Sequence, residues 1–141
     1  MINCYEGLIN EGIVPIANED DAVSLKMSMF SDNDELASLV AELTNADALI
    51  LLTDTDGLYT GHPDDDDSEK LDKVNVEENV EQYVQASEKS EGEGRGGMKS
   101  KLKIAKATAK KNIPTFIANG KRKNVIVELL EGKDIGTKFY A

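Results

Sequence analysis

Short apolar runs alternate with stretches of helical spacing along this chain. Gly12–Ala17 (GIVPIA), Ala46–Thr53 (ADALILLT) and Asn112–Ala118 (NIPTFIA) are continuous apolar segments, the form taken by strands buried on both faces. Met1–Glu11 reads as the tail of a helix that ends at Gly12. Ser31–Asp34 has the form of a capping box, and Leu36, Leu39, Val40 and Leu43 follow at helical spacing. Strand 12–17, this helix and strand 46–53 would make a βαβ unit, with 46–53 long enough for the middle of a parallel sheet.

Downstream, Asp54–Pro63 is turn-rich, Asp64–Asp67 is an acidic loop and Lys70–Asn75 a short strand. Val76–Ala86 is expected to be helical, Ser87–Gly97 a glycine-rich loop, and Met98–Lys111 a basic helix with Met98, Leu102, Ala105 and Ala109 inward. Asn124–Leu130 reads as a helix closed by Gly132, and Gly136–Tyr140 as a final edge strand. Alternation of this kind indicates an α/β three-layer sandwich with a mainly parallel sheet, in one domain spanning 1–141. There is no internal repeat.

Composition narrows the partners. Of 141 residues, 40% are hydrophobic but only 5% aromatic, with no Trp, so the core should be aliphatic. Acidic residues outnumber basic ones 27 to 16, for a net charge of -11. That disfavours nucleic acid or an anionic membrane as partner. No apolar run approaches the roughly 20 residues of a membrane span, and the opening residues show no signal-peptide pattern. The single cysteine, Cys4, reads as a small core residue, and a cytoplasmic location is expected.

Against this acidic background, Arg95, Lys99, Lys101, Lys103, Lys106, Lys110 and Lys111 gather in and after a glycine-rich turn. Helix N-termini carry unpaired amides and positive potential, so a phosphate is the expected guest. The alternative is a plain loop followed by surface lysines. Gly92–Gly97 satisfies G-x-G-x-x-G, but no strand directly precedes it, which disfavours a Rossmann-type dinucleotide binder. It also misses the P-loop form, because Met98 stands where the lysine should be.

Thr53 and Asp54 end an apolar strand, where open α/β sheets bind ligands, though a simple strand-end turn would use the same residues. Asn18–Asp21 and Asp32–Asp34 could receive an amino acid, with Asp34 read as a helix cap. His62 reads as a loop residue. Cys and His do not occur at metal-ligand spacing, so no metal site is expected.

The segments GIVPIANEDDAV, FSDNDELASLVAELTNADALILLTDTDGLYTGHP, GRGGMKSKLKIAKATAKKNIPTFIANG and LLEGKDIGTKFYA resemble, in order, the glutamate 5-kinases (gamma-glutamyl kinases) of the amino-acid-kinase superfamily. The resemblance implies ATP- and Mg2+-dependent phosphorylation of the glutamate side-chain carboxylate, the first step of proline synthesis. Asp21 and Asn33 match glutamate-binding positions. Thr53 and Asp54 match a nucleotide-binding pair. Arg95, Gly96, Gly97, Met98, Lys99, Ser100 and Lys101 match a second nucleotide segment, with Lys101 as its catalytic cation. Mg2+ would be held mainly through the nucleotide phosphates. Two departures stand out: Asp20 replaces a usual Asn, and Arg95 a common Thr.

The likeness covers roughly the second half of the kinase domain. A lysine-bearing glycine loop, a Ser-Gly-rich loop and a C-terminal RNA-binding-like domain of the family have no counterpart here. The chain alone is therefore expected to be a very poor kinase. L-glutamate and ATP are the implied ligands, a homo-oligomer the implied assembly, and glutamyl phosphate reductase a functional neighbour. Other readings are a sister kinase acting on another acceptor and a non-catalytic nucleotide- or amino-acid-binding remnant.

Overall fold

The computed structural model describes residues 2–18, 33–87 and 97–141. In chain order the elements are α1 (Ile2–Asn10), α2 (Asn33–Leu43), β1 (Leu49–Thr53), β2 (Lys73–Asn75), α3 (Glu81–Ser87), α4 (Met98–Ala109), β3 (Thr115–Asn119), α5 (Val125–Leu130) and β4 (Thr137–Tyr140). The strands form one sheet in the order β1-β3-β4-β2. β1 pairs parallel with β3, β2 parallel with β4, and β3 antiparallel with β4.

Alternation along each strand sorts the core. Leu49 and Leu51 of β1, Thr115 and Ile117 of β3, and Thr137 and Phe139 of β4 point to one face and are buried. There they join Leu58, Val74, Val76, Val80, Val84, Leu102, Ala105, Ala109 and Ile113. The opposite face holds a smaller cluster, in which Val125 and Leu129 of α5 cover Ala118 against Ile50, Phe116 and Ile135. Helices on both faces make the expected α/β sandwich with a mainly parallel sheet.

Several expectations about single elements are corrected. Residues 13–18 form no strand: Val14 is 82% and Ile16 94% exposed. An apolar run measures a tendency to be buried, but a strand also needs a partner edge, and Pro15 removes one ladder donor. The βαβ unit expected there therefore lacks its first strand. The second starts at Leu49 rather than Ala46, and it lies at the end of the sheet, not in its middle, among the described residues.

Conversely, the strand ending the chain is interior, flanked by β3 and β2. Its alternation explains why it reads as an edge. Thr137 and Phe139 are fully buried, while Lys138 turns to the other face and places its ammonium 5.7 Å from the Phe116 ring centroid. Helix α3 starts at Glu81, five residues later than Val76, because Lys73–Asn75 is strand and the following residues turn. Cys4 is exposed rather than a core residue.

Phe139 carries the largest fully buried side chain. Phe139→Ala should lower unfolding free energy by about 3–5 kcal/mol. Leu130→Ala, at a position 71% exposed, should stay within about 0.5 kcal/mol of the parent. Urea titration followed by circular dichroism compares the two.

Candidate functional site

The parallel register of β1 and β3, Leu49 opposite Thr115 through Thr53 opposite Asn119, brings both carboxyl ends to one edge. Helix α2 returns to β1 through residues 44–48, and α4 returns to β3 through 110–114. Each helix thus runs antiparallel to the strand it precedes. A twelve-residue helix rises about 18 Å and a five-residue strand about 17 Å. Both helix N-termini therefore arrive at the edge where β1 and β3 end.

One contact joins them: Lys101 Nζ donates to Asp34 Oδ2 at 2.6 Å, with the two side chains 15% and 18% exposed. Asp34 was expected to cap α2. It lies in that helix's first turn, beside Asn33, and its carboxylate turns across to α4; Ser31, the other half of the expected capping box, lies outside the described residues. An acid there is favoured by the α2 dipole, and it also lies close to the α4 N-terminus. A buried hydroxyl pair braces the two helices further along. Ser38 and Thr108 hydroxyls are 2.7 Å apart, and Thr108 gives its proton to the Ile104 carbonyl, so Ser38 is the donor between them.

Gly97 is the N-cap of α4 and carries no capping side chain. The amides of Ser100 and Lys101 both point at the Gly97 carbonyl. Those of Met98 and Lys99 have no acceptor among the described residues, which leaves two adjacent donors at a positive helix end.

The remaining cations of α4 are largely committed. Lys106 donates to Glu81 Oε1 and to the Glu78 carbonyl, both at 2.8 Å. Lys110 lies 3.6 Å from Glu77 and Lys111 2.5 Å from Glu42. Lys99 and Lys103 have no acidic partner among the described residues. They line a groove of about 770 Å³ between α3 and α4, together with Ser100, Leu102, Glu81 and Val84. The hydrogen bond from Lys106 holds the Glu81 carboxyl below its ordinary value.

Thr53 ends β1, and its hydroxyl donates to Asp54 Oδ1 at 3.3 Å. Asp54 itself is exposed. Asn119, across the register from Thr53, donates through Nδ2 to Asp56 Oδ1 at 2.9 Å, and its own Oδ1 accepts from the Lys121 amide at 2.9 Å. The sequence alone gave no sign of this asparagine.

Of the residues singled out from the sequence, Asn33, Thr53, Asp54, Gly97, Met98, Lys99, Ser100 and Lys101 all lie at this one edge. Asp21, Arg95 and Gly96 lie outside the described residues. No group of three metal-capable side chains occurs among the described residues.

The sequence profile described as "Amino acid kinase family" matches residues 1–119. Glutamate 5-kinase of Bacteroides thetaiotaomicron is 42% identical over 139 residues, 97% of this chain and 38% of that protein. Glutamate 5-kinase of Clostridium perfringens is 38% identical over 143 residues, 99% of this chain and 53% of its own length. The chain thus spans about half the length, or less, of these relatives.

Among solved structures, isopentenyl phosphate kinase of T. acidophilum superposes with a TM-score of 0.69 at 20% identity, over 99% of this chain and 53% of that one. Carbamate kinase of Giardia lamblia bound to AMP-PNP gives 0.64 at 22%, over 99% and 48%. At such identities the likeness is one of fold.

The α3–α4 tie has a definite pH dependence. Glu81 has a lowered carboxyl value in the folded chain, so its contribution is complete above its ordinary 4.5 and is lost as pH falls through the folded value. Thermal unfolding of Glu81→Gln should therefore lie below the parent at neutral pH, with the gap closing in acid. A gap that does not change with pH would remove Glu81 from this role.

Proposed function

Since the chain belongs to the amino acid kinase family, we propose that it carries the acceptor- and nucleotide-binding half of a glutamate 5-kinase-type phosphotransferase. Residues 1–141 are then part of a larger kinase domain. The observation that carries this reading is the Lys101–Asp34 pair. It joins the first turns of α2 and α4 beside two amides without an acceptor among the described residues, at the carboxyl edge of the parallel strands.

The chemistry fits the groups at hand. A glutamate side-chain carboxylate has a pKa near 4.3, so at neutral pH it is already a nucleophile and needs no general base. The obstacle is bringing one anion in line with the phosphate of another, which calls for positioning and fixed positive charge. An ammonium group has three donors, and Asp34 takes one of them. The other two remain for phosphate oxygens, while the carboxylate fixes where they point. The Met98 and Lys99 amides add neutral donors on the same side.

In this reading Gly97–Lys101 receive the ATP phosphates, together with Arg95 and Gly96, and Mg2+ comes bound to those phosphates and neutralises their charge. Thr53 and Asp54 hold the rest of the nucleotide. Asn33, one residue before Asp34, meets glutamate with Asp21. The α2 side thus faces the acceptor and the α4 side the donor, with Lys101 between them. A cytoplasmic location and self-association belong to the same reading. The unpaired outer edge of β1 and the exposed Ile13, Val14 and Ile16 favour self-association among the described residues.

Isothermal titration with Mg–AMP-PNP tests the assignment. The parent chain should bind, and Lys101→Ala should weaken binding about tenfold or more, the effect of losing one charge-assisted contact. Glutamate, but not aspartate, should raise the melting temperature. Equal affinity in parent and Lys101→Ala would overturn the assignment.

A further inference from the structure

The stretch between β1 and β2 crosses the whole ligand edge. β1 and β2 are the two outer strands, with β3 and β4 between them. Residues 54–72 must therefore travel three strand spacings, about 14 Å. They do so as a hairpin in which Tyr59 bridges Lys70, the Thr60 amide bonds the Glu69 carbonyl and the Leu71 amide bonds the Leu58 carbonyl. The start of this crossing is the turn Asp54–Gly57.

Both interior strands grip that crossing where it passes over them. From β3, Asn119 holds Asp56, and the Gly120 amide bonds the Thr53 carbonyl at 2.8 Å. From β4, the Thr137 hydroxyl, fully buried, accepts from the Leu58 amide at 2.8 Å and donates to the Leu71 carbonyl at 2.6 Å. One hydroxyl thus closes both arms of the hairpin at its root. Lys70 adds a bond from Nζ to the Gly136 carbonyl at 2.9 Å.

The fit leaves no slack. Gly57 has φ +144, and a Cβ there would come within 2.5 Å of Thr137 Oγ1. Gly136 has φ +70, and a Cβ there would meet the Ile117 carbonyl oxygen at 2.6 Å. Leu58, next to the clasp, is buried in the core cluster that Met98 of the α4 first turn borders.

We infer that Thr137, seconded by Asn119, is a positioning residue for nucleotide binding: its hydroxyl clamps the root of the 54–72 crossing and so fixes the turn that carries Asp54 at the carboxyl end of β1. This rests on the nucleotide reading of Thr53 and Asp54 given above. Thr137 touches no ligand in this scheme and acts only through Gly57 and Leu58. Valine at this position keeps the volume and loses both hydrogen bonds, whereas serine keeps both.

The experiment is a double-mutant cycle read by titration of the chain with Mg–AMP-PNP, with thermal unfolding followed in parallel. Thr137→Val should weaken binding about tenfold, and Thr137→Ser should restore it to within about twofold. Asp54→Ala should weaken binding in the parent yet add little to Thr137→Val, because a displaced Asp54 has already lost its contact. Loss of stability without position-dependent loss of affinity would leave Asp54→Ala fully additive, and that overturns the inference.

Equal affinity of parent and Thr137→Val overturns it as well, while leaving the nucleotide site standing. A parent chain that binds no AMP-PNP removes the nucleotide reading and this inference with it. Should Thr137→Val not fold, Asn119→Ala runs the same cycle, since that side chain holds Asp56 from a half-buried position. Full additivity with Asp54→Ala there is equally decisive against it.

Discussion

The parallel pairing of β1 with β3 is the constraint on which the rest depends. Parallel neighbours end at the same edge, so every helix that returns to them by a short turn must begin there. That geometry alone brings Asn33, Asp34, Thr53, Asp54 and the 97–101 turn together from three distant parts of the sequence. The register is enforced by alternation. A slip of one residue would carry Leu49, Leu51, Thr115 and Ile117 off the α4 face and expose them.

The Lys101–Asp34 pair sits on this frame at a cost. Each side chain is more than four-fifths buried, so each charge has lost most of its water. Breaking such a pair by removing one partner commonly costs about 3–5 kcal/mol, because the other charge is left uncompensated. Replacing both by apolar residues is often neutral for stability. An ion pair kept in such a place is therefore weak support for a purely structural role. In the proposed reading the pair holds a cation at one point before a ligand arrives, so that no reorganisation is needed on binding.

Much of the architecture was legible because helical spacing and continuous apolar runs report burial directly. The positions 102, 105 and 109 on α4 came out inward as their spacing demands. What the sequence could not show was pairing. Residues 13–17 and 49–53 carry similar apolar runs, yet only the second has a strand partner among the described residues, since partner choice depends on residues more than 60 positions away. β4 looked like an edge because Lys138 interrupts its apolar pattern, but the alternate face absorbs that lysine over Phe116. Thr137 and Asn119 were invisible for the same reason: a polar residue in a strand carries no mark of the distant backbone that it grips.

The cationic character of α4 shows where composition overstated the case. Seven cations in residues 95–111 suggested an anion site by number. Lys101, Lys106, Lys110 and Lys111 each face a carboxylate, so much of that charge is cancelled within the fold. In a chain of net charge -11 this is the expected fate of surface lysines. The exposed pairs of Lys110 and Lys111 contribute little to stability, about 0–1 kcal/mol each. Their effect is to keep the helix from presenting a broad positive face to any polyanion. What remains is local: two amides with no acceptor among the described residues, one ammonium group aimed by Asp34, and a turn clamped at its root. In the proposed reading, recognition by such a site would depend on the position of a phosphate rather than on its charge alone, as a reaction between two anions requires.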